Sequence, residues 1–159
     1  MSVQLGPSGT RGMSIPAFVR PLMKVGMSLG HALFRWRGGR MKVLGQPLLL
    51  LTTIGAKTGR KRQTLLAYFP DLAIDGARLV IGSGGGSVRH PGWSHNLAKN
   101  PEQVSINLGN GELKVKAVSL TGPEREEAWK RVVLMAPSYG QYELKTDRQI
   151  PIIRLTRAG

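Results

Sequence analysis

Residues 48–54, LLLLTTI, and 62–69, RQTLLAYF, are two apolar, β-branched runs held apart by GAKTGRK at 55–61. Runs of this length and composition read as strands, and a glycine-containing link between them makes a hairpin. The device returns further on: EQVSINL (102–108) and ELKVKAVSL (112–120) flank Gly109-Asn110-Gly111. A third strand, RLVIGS (78–83), follows an Asp-Gly turn, and IPIIRLT (150–156) closes the chain as a last strand. Two helices fit between these pieces. WSHNLAKN (93–100) stops before Pro101, and EREEAWKRVVLM (124–135) opens behind Pro123 with acids in its first turn. Ala128, Trp129, Val132, Val133 and Met135 form the apolar side of the second. APSYGQYELKTDR (136–148) reads as irregular. The order is α, β-β-β, α, β-β, α, β. Hairpins dominate and no βαβ alternation appears, which excludes a doubly wound parallel sheet. The expected fold is mainly β: an antiparallel, barrel-like sheet with helices at its edges.

The front of the chain differs. Residues 1–14 are rich in Gly, Ser and Pro and read as a loose arm. Phe18, Leu22, Val25, Leu29, Leu33 and Trp36 then step by three or four, giving an apolar stripe, with Arg20, Lys24, His31 and Arg35 as a basic stripe. Such a basic amphipathic helix packs on a domain or lies on an anionic membrane surface, and the two roles are compatible. The expected organisation is therefore an arm and helix at 1–44 and a single barrel domain at 45–159.

Charge narrows the partners. Of a net charge of +14, residues 1–70 carry +11, and the first carboxylate is Asp71. A field of one sign concentrates polyanions or anionic headgroups. Without cysteine there is neither a disulfide nor thiolate chemistry, and His90 and His95, five apart, do not share a helix face. No metal is expected. Arg20, Pro21 and Lys24 interrupt the only stretch that could serve as a secretory core, and no apolar run reaches membrane-spanning length. A cytoplasmic protein is expected, with residues 15–40 a possible peripheral contact with the inner face of the membrane.

Two loops look built for anions. Gly55–Arg62 combines glycine amides with Lys57, Arg60 and Arg62. Ser83–Arg89 offers amides at Gly84, Gly85 and Gly86. Glycines allow close approach to the backbone, successive amides can form an anion nest, and arginine forks bind phosphate or carboxylate. The plain alternatives are a solvated basic turn and a flexible connection. Neither loop has the spacing of a Walker or dinucleotide fingerprint, and GMSLG (26–30) matches a nucleophile elbow in the wrong setting, inside the amphipathic helix. Trp93 is either core or a wall against a flat ring. Asn96 is a helix-surface amide or a ligand contact. Tyr139 and Tyr142 share a side if their segment turns helically, and phenols can position or protonate an organic oxygen.

Taken together, T-T-x-G-x-K-[ST]-G-x-x-R at 52–62, SGGGSVRHPGWSHNLAKNP at 83–101 and MAPSYGQYELKTDRQIPIIRL at 135–155 resemble the deazaflavin-dependent nitroreductase family of actinobacteria. The resemblance implies a split β-barrel related to flavin-mononucleotide (FMN)-binding barrels. It also implies reduced coenzyme F-420, with its phosphate and polyglutamate tail, as hydride source for a quinone, enone or nitroaromatic acceptor. Lys57, Arg60, Lys61 and Arg62, with Gly59 between them, would meet the anionic groups. Thr64, Leu65 and Leu66 would run beside the ring, and Ser83, Gly84, Gly85, Gly86, Trp93 and Asn96 would complete the coenzyme site. Tyr139, Tyr142 and Ser83 would position the acceptor or supply a proton. Gly84 stands where the family often has a basic or polar residue, and Ala136 where the nitroreductase has a third tyrosine, which implies a more open pocket. Two other functions remain compatible with the residues: an FMN-dependent oxidoreductase on the same barrel, and a non-enzymatic basic module for nucleic acid or anionic membrane. The aromatics lack the interleaving with bases that a nucleic-acid stacking platform needs, so no nucleic-acid partner is expected.

Overall fold

The computed structural model describes residues 2–14, 16–43 and 45–159. Its strands are β1 (Lys42–Val43), β2 (Gln46–Ile54), β3 (Lys61–Pro70), β4 (Arg78–Ile81), β5 (Val104–Asn107), β6 (Glu112–Ser119) and β7 (Ile152–Arg157). They lie in the order β1-β2-β3-β4-β7-β6-β5, and β5 pairs back onto β2. That last pairing closes six strands into a barrel, with every neighbour antiparallel. The hairpin rhythm of the sequence is thus the fold.

The four leucines of β2 explain themselves by face. Side chains alternate along a strand, so Leu49 and Leu51 enter the barrel interior with Val80, Ile106, Ile153 and Leu155, while Leu48 and Leu50 point outward. The outward pair is covered by Phe34 of helix α1 (Arg20–Trp36). A strand buried on both faces needs an unbroken apolar run rather than alternation. The opposite wall is covered by α3 (Gly122–Met135), whose Ala128, Trp129 and Val132 pack on Leu79, Ile81 and Ile152. Met135, expected on that packed side, is 48 % exposed. Arg154 of β7 ties the two together, pairing with Asp71 and with Glu124 at the start of α3.

Two expectations change, and one left open for α1 is narrowed. Residues 2–13 are not loose. Val3 joins the barrel core, Gln4 N–H donates to Ser119 Oγ (2.8 Å), and Thr10 and Arg11 amides donate to Asp147 (2.8 and 3.0 Å). The segment is a strap, held by partners far away in sequence, which its local composition cannot reveal. The irregular stretch after Ala136 contains a helix, α4 (Ser138–Lys145). The apolar stripe of α1 does not pack on the barrel: Phe18, Leu22, Leu29 and Trp36 are each more than two-thirds exposed. The side that docks holds Phe34, Gly30 beside Leu65, and Arg35, whose Nη2 donates to Gln63 (2.8 Å). The expected boundary falls at Leu44, which lies outside the described residues, as does Ile15 within the expected membrane-contact segment.

The end of α1 is set by glycine. Gly38 and Gly39 are left-handed (φ 61° and 81°) and press on the β5–β6 turn at Gly109. A side chain at Gly109 would collide with the Gly38 carbonyl and one at Gly39 with that of Leu108, so this contact admits only glycine at both places.

Candidate functional site

Helix α2 (Gly92–Lys99) lies against the β2–β3 hairpin and shapes its basic turn. Asn96 uses both ends of its amide: Oδ1 accepts from Ala56 N–H (2.9 Å) and Nδ2 donates to Thr53 Oγ1 (3.0 Å). Lys99 Nζ donates to the Ala56 carbonyl (2.7 Å), and Asn100 Nδ2 reaches that of Ile54 (3.4 Å). Within the turn, Gly59 is left-handed (φ 68°) and its amide closes on Gly55 (2.9 Å). The turn is therefore a braced loop, not a freely solvated one.

Between this hairpin, α2 and the inner side of α1 opens a groove of about 1620 Å³. Lys57, Lys61 and Arg62 line it from the hairpin, Lys99 from α2 and Lys24 from α1. Among the described residues, no carboxylate lines it. Trp93 does two jobs at once: it packs on the barrel core and forms part of the groove wall. Thr64 lines the groove as well. Leu66 packs on the barrel interior, whereas Leu65 packs beneath α1 with Phe34. Asn96 is in the groove wall, but its amide is committed to the hairpin. Gly59 and Arg60 are exposed and stand outside the lining.

The other expected residues form a second group. Ser83 is buried (7 % exposed), and Gly84, Gly85 and Gly86 run left-handed in succession (φ 54°, 67° and 85°). The Gly86 amide, expected to be free, donates to the Ser83 carbonyl (2.9 Å), which leaves Gly84 and Gly85 to offer theirs. The loop backs onto α4: a Cβ on Gly86 would sit 3.0 Å from the Tyr142 carbonyl oxygen. On α4, the rings of Tyr139 and Tyr142 meet edge to face at 5.3 Å, and Tyr139 meets Phe69 at 5.5 Å. Burial, with Tyr142 alongside, pushes the Tyr139 phenol above its ordinary pKa, so it keeps its proton at neutral pH. None of Ser83, the three glycines, Tyr139 or Tyr142 lines the groove. Ala136 is buried in the core cluster that α3 covers.

Residues missed in the sequence come mainly from α1. Lys24, Met27, Ser28 and His31 all line the groove. Their spacing of three, four and seven puts them on one helix face, a signal present in the sequence but outweighed by the stronger apolar stripe. Burial, and then the nearby Arg35, lower the His31 pKa.

The family model for F-420H(2)-dependent quinone reductase matches residues 32–157. An F-420H(2)-dependent quinone reductase of Mycobacterium tuberculosis is 41 % identical over 138 residues, covering 82 % of this chain and 89 % of its own. Among solved structures, an F-420-H2 dependent reductase, FDR-A, is 38 % identical with a TM-score of 0.61, over 73 % of this chain and 99 % of that one. Another, described as a domain-swapped dimer, is 35 % identical with a TM-score of 0.63, over 86 % and 99 %. With a closed antiparallel barrel, a braced basic hairpin and these relatives, the chain belongs to the F-420H(2)-dependent quinone reductase family.

Proposed function

We propose that this protein is a reductase that draws on reduced coenzyme F-420 and delivers hydride to a quinone-type acceptor. The observation that carries the reading is the groove: five cationic side chains and, among the described residues, no carboxylate. A groove of that kind suits a ligand with a phosphate and a run of carboxylates. Lys57, Lys61 and Arg62 would hold those anions from the hairpin, Lys24 and Lys99 from the two helices. Trp93 would give the flat ring a wall, and Thr64 a polar contact along β3. FMN carries a phosphate too, but it has no polyanionic tail to engage five cations.

Bound reduced F-420 supplies the hydride; the chain supplies orientation and charge. The basic groove holds the anionic end fixed. The Trp93 and β3 side keeps water from one face. Tyr139 and Tyr142 would face the acceptor, and the protonated phenol of Tyr139 is suited to give a proton to a reduced oxygen. Removing two charged contacts with Lys57→Ala/Arg62→Ala should raise the coenzyme KM by about 10- to 100-fold or more. Turnover at saturating coenzyme should change little. Steady-state oxidation of reduced F-420 with a soluble quinone reads both, and an unchanged KM would contradict the assignment of the groove. A Tyr142→Phe variant with unchanged rates on several quinones would remove that phenol from the chemistry.

We further propose that α1 lays its exposed stripe on an anionic membrane surface. Phe18, Leu22, Leu29 and Trp36 face away from the barrel, with the exposed Arg20, Arg37 and Arg40 on the same segment. Apolar residues beside cations are what such an interface selects, and lipid-soluble quinones reside there.

A further inference from the structure

Arg148 stands in the connection between α4 and β7, 6 % exposed. The ion pairs among the described residues do not include it. Its guanidinium is instead spent on one loop. Nε donates to the Ser87 carbonyl (2.9 Å), Nη2 to the Ser83 carbonyl (2.7 Å) and more weakly to Ser87 Oγ (3.4 Å). Nη1 lies 3.1 Å from His90 Nδ1. His90 Nε2 lies 2.8 Å from the Gly6 carbonyl. A carbonyl only accepts, so Nε2 carries the ring proton and Nδ1 accepts from Arg148.

One side chain thus clamps both ends of Ser83–Ser87 and, through His90, the N-terminal strap. The loop needs such a clamp. Gly84, Gly85 and Gly86 are the most freely moving residues a chain can use, and holding three in left-handed geometry is entropically costly. They have no side chains with which to hold themselves. A buried guanidinium without a carboxylate is itself costly, and its bonds to backbone carbonyls offset that cost only while the loop keeps this shape. The shape sets Gly86 against α4, at the Tyr142 carbonyl and Lys145, and Gly85 against Met13 of the strap.

We propose that Arg148 is a positioning residue for the acceptor side of the site, fixing the Ser83–Ser87 loop where Gly86 meets α4, the helix that carries Tyr139 and Tyr142. The inference rests on the proposed reductase function. It separates two halves of the site: the basic groove sets coenzyme affinity, and the Arg148-clamped loop sets how well the acceptor is held during transfer.

The test is Arg148→Lys, which keeps the charge but loses the fork whose separate nitrogens reach Ser87, Ser83 and His90 at once. F-420 affinity should stay within about twofold of the parent, while quinone turnover falls by about tenfold or more, the loss expected when charged hydrogen bonds are removed. Amide hydrogen exchange across residues 83–89 should accelerate while exchange in β7 stays unchanged. Equal losses in coenzyme affinity and turnover, or unchanged loop exchange, would overturn the proposal. If Arg148→Lys does not fold, His90→Gln carries the test: it weakens the clamp at one point, and faster loop exchange with reduced turnover is expected. Unchanged loop exchange and turnover in that variant would likewise overturn it. Wild-type protein that binds no F-420 would overturn the functional reading and the acceptor role with it, while the exchange data would still report on Arg148's grip.

Discussion

Asn96 shows how a single amide can shape a site through its bonds to the protein. Its two ends are bonded to Ala56 N–H and Thr53 Oγ1, so it fixes the hairpin turn that presents Lys57. Asn96→Ala leaves a part-buried backbone donor unpaired, an expected cost of about 1–3 kcal/mol. A clear drop in Tm and a weaker coenzyme affinity should appear together; a Tm unchanged from the parent would refute the bracing role. His90 gives a pH signature. Burial lowers its pKa first; the Gly6 carbonyl opposes this, and Arg148 and His95 lower it further. The unfolded chain therefore binds a proton near about pH 6.5 that the folded chain refuses until lower pH. His90 makes no pH-dependent contribution above that value, and stability falls as pH drops below it toward the folded pKa. His31 shifts in the same direction, so the measurement is the difference between the Tm–pH profiles of the parent and His90→Gln. The parent should lose more stability on acidification. Parallel profiles would show that His90 does not titrate as described.

At the scale of elements, the barrel was legible because its strands announce themselves locally. LLLLTTI, RQTLLAYF and the pair around Gly109-Asn110-Gly111 each carry their own period and turn. The strap and α4 were not legible. Residues 2–13 have no period of their own, and their order comes from Ser119, Val88 and Asp147, far away in sequence. SYGQYELK contains a glycine, lacks a side-chain cap and buries no residue completely, so nothing in its pattern outweighs a loop reading. For α1, periodicity identified the helix but not its docking face. Phe34, a single residue off the stripe, decides it by filling the space over Leu48 and Leu50. The stripe left outside makes a prediction of its own. The protein should co-sediment with vesicles containing anionic lipid, less so at high salt, and Leu22→Glu/Leu29→Glu should abolish most of that binding. Equal sedimentation of parent and variant would exclude α1 as the contact.

Across the whole molecule, the charge asymmetry acquires a location. The acid-free front of the chain supplies Lys24 from α1 and Lys57, Lys61 and Arg62 from the hairpin, and α2 adds Lys99 to the same groove. The basic turn was readable in the sequence as a candidate anion site; the groove that joins it to α1 and α2 was not. The basic turn and Trp93 meet in the groove, whereas Gly86 of the glycine loop lies against α4, which carries the two tyrosines, a division set by tertiary packing rather than local pattern. Because the groove is open and its charges are mostly exposed, coenzyme affinity should weaken as ionic strength rises past a Debye length of about 10 Å at 0.1 M. The central claim is that this groove selects a long polyanionic deazaflavin. Its most direct test is a fluorescence titration of the purified protein with oxidised F-420, run beside FMN and repeated with Lys57→Ala/Arg62→Ala. Saturable binding of F-420, weak or absent binding of FMN, and a large loss of F-420 affinity in the double variant are the expected results. No saturable F-420 binding, or tighter binding of FMN, would contradict it.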